Sequence, residues 1–181
     1  MRMTIPNKGD TAEVYLAGGC FWGLEKAFSL VPGILETESG YANGDEHLIP
    51  DYMLVCSGKF RYCEAVRIVY DPDVITLTKL LDVFFMVIDP TLLNRQGNDK
   101  GIQYRTGIFW TDEGSGRIVE EYVRKEREKH DEFFTEIGPL KNFFTAEEYH
   151  QDYLDKNPNG YCHIPSQELD HIRDMFSHDS K

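Results

Sequence analysis

The segment Gly18-Gly19-Cys20-Phe21-Trp22-Gly23-Leu24-Glu25 carries the residue types best suited to covalent chemistry. Before it, Val14-Tyr15-Leu16-Ala17 is a short apolar run with the length of a buried strand. After it, Leu24, Ala27, Phe28 and Val31 fall at helical spacing, and Pro32-Gly33 ends that helix. Cys20 therefore stands where a strand stops and a helix starts. Unpaired backbone N–H groups and the helix dipole favour negative charge there, so the thiol is expected to ionise easily. Glycines on both sides allow a sharp turn and leave the sulfur accessible. Phe21 and Trp22 either pack in the core, as aromatics often do, or wall a pocket for an apolar group held against the sulfur.

The chain has 181 residues, the size of one domain (residues 1–181), with a loose C-terminal tail from about Asn157, where Pro158, Gly160 and Pro165 interrupt the pattern. Its net charge of −12 argues against a nucleic-acid partner or an anionic membrane surface. Residues 1–10 contain no apolar targeting segment, and the most apolar stretch, residues 80–88, is too short to span a bilayer. These features point to the cytoplasm, where thiols stay reduced. The four cysteines, Cys20, Cys56, Cys63 and Cys162, then read as catalytic, redox or metal-binding groups before they read as a disulfide framework.

The elements that must position Cys20 alternate. Residues 34–42, 65–70 and 106–110 read as strands, and Leu77, Leu80, Leu81, Phe84, Phe85 and Ile88 form an apolar stripe of helical period. A long charged helix is expected over residues 115–134, a strand end at Phe143-Phe144, and a last helix through Ala146, Tyr149, His150 and Tyr153. The order suggests an α+β fold: a two-layer sandwich whose mixed sheet is related to the split β-α-β (ferredoxin-like) type.

Gly-Cys-Phe-Trp-Gly, with Glu two positions on, resembles the signature of peptide methionine sulfoxide reductases of the A type. Three further segments resemble that family in order. The first is Tyr52-Met53-Leu54-Val55-Cys56-Ser57-Gly58, followed by Glu64 and the strand that ends in Tyr70-Asp71-Pro72. The second combines Asp89-Pro90-Thr91, Asn94-Arg95-Gln96-Gly97-Asn98-Asp99 and Gln103-Tyr104-Arg105. The third is Ala146-Glu147-Glu148-Tyr149-His150-Gln151-Asp152-Tyr153 with Asn157-Pro158-Asn159-Gly160-Tyr161-Cys162.

The resemblance implies an enzyme that reduces methionine S-sulfoxide, free or in oxidised proteins, without a bound cofactor or metal. Phe21 and Trp22 would hold the substrate methyl, Glu64, Tyr52 and Tyr104 would surround the oxygen, and Asp99 would help position substrate or backbone. A sulfoxide oxygen leaves poorly unless protonated, which explains an acid of raised pKa and phenolic donors. Cys20 would become a sulfenic acid, Cys162 would resolve it to a disulfide, and thioredoxin would restore both thiols.

The sequence departs from the family at Arg61-Tyr62-Cys63-Glu64, where Gly-His-Ala-Glu is usual, at Gly40-Tyr41-Ala42-Asn43-Gly44, where paired glycines are more frequent, and at Ile88, where a His commonly precedes Asp-Pro. No cysteine follows Cys162, so no relay to a second tail thiol is available. Cys63 is a candidate alternative resolver, although strand alternation would turn it away from Glu64. Two rivals fail on spacing: Cys56 and Arg61 enclose too few residues for a phosphatase loop, and the cysteines lack zinc-site pairing. A binding protein that kept the fold and lost activity remains as the alternative, although neither Cys20 nor Glu64 is substituted.

Overall fold

The computed structural model describes residues 11–45 and 49–177. The first ten residues and residues 178–181, the polar end of the tail, lie outside the described residues. In chain order the first half contains β1 (Ala12–Ala17), α1 (Phe21–Ser29), β2 (Ile34–Ala42), α2 (Tyr52–Cys56), β3 (Cys63–Tyr70) and α3 (Leu77–Val87). The second half contains β4 (Arg95–Gln96), β5 (Asp99–Lys100), β6 (Gly107–Trp110), α4 (Glu113–Arg127), β7 (Glu136–Pro139), β8 (Phe143–Thr145), α5 (Tyr153–Lys156) and α6 (Ser166–Ser177).

Six strands form one sheet in the order β7-β6-β1-β3-β2-β8. β3 lies between β1 and β2 and runs antiparallel to both, so β1, α1 and β2 make a split β-α-β unit. Among the described residues only β6 and β7 pair in parallel, which makes the sheet mixed, as expected. Alternation sorts the side chains between its faces. Val14, Leu16, Val66, Ile68 and Tyr70 face the helical layer, where they meet Leu24, Phe28, Leu80, Leu81 and Phe84 in the main core. Tyr15, Ala17, Ala42, Cys63, Ala65 and Phe109 form a smaller cluster on the other face, covered by Leu140 and Phe143.

Local chemistry fixes the helix starts. The Thr76 hydroxyl accepts from the Lys79 amide at 3.1 Å and begins α3, and the Asp112 carboxylate accepts from Ser115 at 2.8 Å and begins α4. α1 ends before Pro32 and Gly33, the glycine at φ +87°.

Two expected helices are shorter than their patterns. The helix expected to reach residue 134 stops at Arg127, because Phe134 donates to the Pro90 carbonyl at 2.7 Å and the chain then pairs as β7. The helix expected through Tyr153 is a single 3-10 turn, Glu148–His150, followed by α5. Asp152 breaks it with φ +49°, its amide captured at 2.7 Å by the buried Glu25 carboxylate.

The segment after residue 157, read from sequence as a loose tail, carries α6. Ile164 and Ile172 are fully packed in the main core, with Leu169, Met175 and Phe176 against it. Replacing Ile172 by Ala should therefore lower unfolding free energy by about 2–5 kcal/mol in urea titration. A loss under about 0.5 kcal/mol, the size of an ordinary surface substitution, would show that α6 is not docked.

Candidate active site

Cys20 is the N-cap residue of α1, with its thiol buried and making no capping hydrogen bond. Gly18 and Gly19 carry the chain from β1 into this turn. A Cβ on Gly18 would lie 2.6 Å from Ile88 Cγ2, so Ile88 backs the turn directly. Gly19 adopts φ +78°.

Glu64, on the helix-facing side of β3, ends beneath the same turn. It is 1% exposed, and its Oε1 accepts from the Phe21 backbone N–H at 3.1 Å. That amide is among those a helix leaves unpaired at its start. Burial, partly offset by this bond and reinforced by Asp99, raises the carboxyl to about 8. Glu64 is therefore mostly protonated at neutral pH, the form in which a carboxylic acid can donate.

The Cys20 thiol departs from the sequence expectation. Burial, then the proximity of Glu64, pushes it well above its ordinary value, while the Trp22 backbone N–H pulls the other way. The helix start does favour the thiolate, but exclusion of water outweighs it. The pair thus holds two protons at pH 7, one on sulfur and one on Glu64.

Phenols surround this pair. The Asp51 carboxylate caps α2 by accepting from Leu54 at 2.8 Å and sets Tyr52 at the start of the helix. Tyr104 closes the 3-10 turn Ile102–Tyr104, and Asp99 lies in the hairpin of β4 and β5. Both phenols are electrostatically coupled to Glu64 and Cys20. Burial, then the neighbouring Cys56 thiol, raises Tyr52, and burial, then the nearby Glu64 carboxyl, raises Tyr104, so both keep their protons. The Asp99 carboxylate accepts from the Tyr161 hydroxyl at 3.1 Å, next to Cys162.

Phe21 and Trp22 form an aromatic wall held by the fourth motif. Trp22 stacks on Tyr153 at 3.7 Å between centroids, nearly parallel at 11°. Its indole N–H donates to His150 Nδ1 at 3.0 Å. The His150 ring is 1% exposed and also packs on Phe21, Tyr52 and Tyr149. Glu147 braces the wall by accepting from the Tyr41 hydroxyl at 2.9 Å and from the Tyr52 amide at 3.3 Å. Nothing in the sequence of Ala146 to Tyr153 singles out Glu147, His150 or Tyr153 for these roles; the aromatic residues they pack on come from distant segments.

The other thiols separate cleanly. Cys162 is half-buried over α1, where a Cβ on Gly23 would stand 3.1 Å from its sulfur, and it donates to the Ile164 carbonyl at 3.4 Å. Cys63 is fully buried on the opposite face of the sheet, directed to the Ala42 carbonyl, as strand alternation anticipated. Cys56 is exposed at the end of α2. Tyr62 packs on Gly44 and donates to the Asp45 carbonyl at 2.9 Å.

A buried thiol near a protonated carboxylic acid, with phenols around them and a second thiol over the same helix start, is an arrangement suited to thiol redox chemistry. The family model described as peptide methionine sulfoxide reductase matches residues 12–180. A relative from Clostridium acetobutylicum, peptide methionine sulfoxide reductase MsrA, is 53% identical over 158 residues, covering 87% of this chain and 97% of its own. Among solved structures, reduced Mxr1 from Saccharomyces cerevisiae superposes with a TM-score of 0.82 at 40% identity, over 86% of this chain and 91% of that one. Mxr1 in complex with Trx2 matches at 0.59 and 27% identity, over 84% of this chain and 91% of that one. The chain belongs to the peptide methionine sulfoxide reductase family and is an oxidoreductase of oxidised methionine. Among the described residues, no helix is long and apolar enough to cross a membrane.

His150→Ala should leave the Trp22 indole N–H without its acceptor, cost about 1–3 kcal/mol of stability, and shift Trp22 emission to the red. Unchanged emission in a Trp110→Phe background would contradict the role given to this hydrogen bond.

Proposed function

We propose that the chain reduces methionine S-sulfoxide, free or in proteins, through a sulfenic acid on Cys20 that Cys162 resolves and thioredoxin recycles. The observation that carries this reading is the Glu64 carboxyl, neutral and held by the Phe21 amide at the start of α1, close enough to Cys20 to act on its thiol. Glu64 lends its proton to the sulfoxide oxygen, assisted by Tyr52 and Tyr104, and this makes the substrate sulfur electrophilic. Cys20 gives up its proton and its sulfur attacks. The oxygen then passes from the substrate sulfur to the Cys20 sulfur: the substrate S–O bond and the transient S–S bond to Cys20 break, a Cys20 S–O bond forms, methionine leaves, and Cys20 is left as S–OH, with its former proton on Glu64. The stoichiometry is thiol plus sulfoxide to sulfenic acid plus thioether.

Phe21 and Trp22 receive the substrate methyl, an apolar group suited to aromatic faces. Asp99 holds the rim through Tyr161. Cys162 then attacks the sulfenic acid, water leaves, and a Cys20–Cys162 disulfide forms. A groove of about 590 Å³ opens beside Cys162 between α1 and α6, which suits approach of an external dithiol. The yeast relative's complex with Trx2 supports thioredoxin in that part. The cycle needs reduced thiols, and we place it in the cytoplasm.

The test is thioredoxin-coupled NADPH oxidation with the separated S and R epimers of a methionine sulfoxide peptide. Turnover should be confined to the S epimer and abolished in Cys20→Ser. Cys162→Ser should stop after about one equivalent, because its sulfenic acid has no resolver. R-epimer turnover, or full cycling by Cys162→Ser, would overturn the scheme. S-epimer turnover should also fall as pH rises through about 8, where Glu64 loses the proton it must lend. A rate that does not fall there would remove Glu64 as the acid.

A further inference from the structure

His163 follows Cys162 directly, and its ring lies in a cradle formed by the glycines of the Cys20 turn. A Cβ on Gly19 would stand 2.8 Å from its Nε2, and one on Gly23 would stand 3.0 Å from its Nδ1. Gly97 lies against its Cβ. The two glycines flanking the nucleophile thus make room for an imidazole, besides shaping the turn. Cys162 Sγ occupies the same small site over Gly23.

Both ring nitrogens are buried without a well-formed hydrogen bond, the Gly18 backbone being near enough only to favour a proton on the ring. A buried polar group left unpaired costs roughly 1–3 kcal/mol, and such exceptions in native folds call for a reason. The groups facing the ring are the Cys20 turn, Cys162, the Asp99 carboxylate from β5 and the Gly18 backbone. Asp99 and Gly18 favour a protonated ring, but burial outweighs them and holds it below its ordinary value. The ring is neutral at pH 7 and free to accept a proton.

We propose that His163 is the proton carrier of the resolving step, taking the Cys162 proton as that sulfur attacks Cys20 and handing it to the departing hydroxide. This rests on the sulfenic-acid reading above. The Cys162 S–H and Cys20 S–O bonds break, the S–S bond forms, and hydroxide leaves as water. The Cys20 sulfur is reduced as the Cys162 sulfur is oxidised, so no further oxidant or reductant enters. In the reduced protein the Cys162 thiol donates to the Ile164 carbonyl. It leaves that acceptor when it turns toward Cys20, and the imidazole over the same glycine takes the proton.

The test is a single turnover with one equivalent of sulfoxide peptide and no reductant, for wild type and His163→Gln. Methionine release and dimedone-trappable sulfenic acid are followed separately. His163→Gln should release methionine within about twofold of wild type but form the disulfide about 100-fold more slowly at pH 7. Its resolving rate should climb about tenfold per pH unit from pH 7 to 9 as hydroxide replaces the base, while the wild-type rate stays level. Resolution as fast as in wild type, or slowed by one factor at every pH as a purely positional role would give, overturns the proposal. If His163→Gln is damaged in methionine release itself, His163→Asn carries the same comparison. Cys162→Ser that releases methionine without a trappable sulfenic acid would sink the underlying scheme, and this inference with it.

Discussion

The hydrogen bond from the Phe21 amide to Glu64 joins the start of α1 to the middle of the sheet, and the arrangement of the site follows from it. A helix start needs acceptors, and a carboxyl sealed from water needs either a donor or a proton. Here one backbone amide meets the first need and supplies only part of the second. The acid therefore keeps its proton at neutral pH. Cys20, at the N-cap position of the same helix, is buried by the same closure, so its thiol also resists ionisation. The resting site stores protons rather than charge. That suits a substrate whose oxygen becomes a leaving group only when protonated.

α1 then gathers the distant parts of the chain. Trp22 takes Tyr153 on its face and His150 at its indole N–H, Glu25 holds the Asp152 amide, and Lys26 pairs with Asp155 at 2.5 Å. Gly23 receives Cys162 and His163. Successive residues of one helix thus fix the aromatic wall, the segment behind it and the second thiol. The exposed Lys26–Asp155 pair adds little energy. The part-buried Glu25–Asp152 bond matters more, because it stabilises a left-handed residue that turns Tyr153 back onto Trp22.

Much of this was legible in sequence. β2 was read with its observed limits, and α3 to within a residue, because period and breakers agree there: Val66, Ile68 and Tyr70 alternate on β3, and Pro32-Gly33 closes α1. The side of the sheet that Cys63 occupies also followed from alternation alone. What escaped depends on tertiary partners. The segment after Arg127 keeps a helical composition but is drawn into β7 by Thr106 and Pro90. Residues 148–156 break at Asp152 only because Glu25, far away in sequence, captures its amide. α6 left a signal that was passed over: Leu169, Ile172 and Phe176 recur at helical spacing behind Pro165-Ser166. His150 and His163 could not be distinguished from ordinary histidines without the rings and glycines that surround them. The thiol's direction was misread because position reports the helix dipole but not the loss of water.

The most direct test is the titration of Glu64 itself, by carboxyl carbon NMR of glutamate-labelled protein with Glu64→Gln as the assignment control. The midpoint should lie near pH 8. Because this pKa lies above that of the unfolded chain, the folded state binds the extra proton, and the stabilisation is full below the unfolded pKa of about 4.3 and lost as pH rises toward 8. Wild type should therefore lose stability more steeply than Glu64→Gln across that window. A midpoint near the ordinary glutamate value, with equal slopes, would mean that Glu64 rests as a carboxylate and cannot be the proton donor.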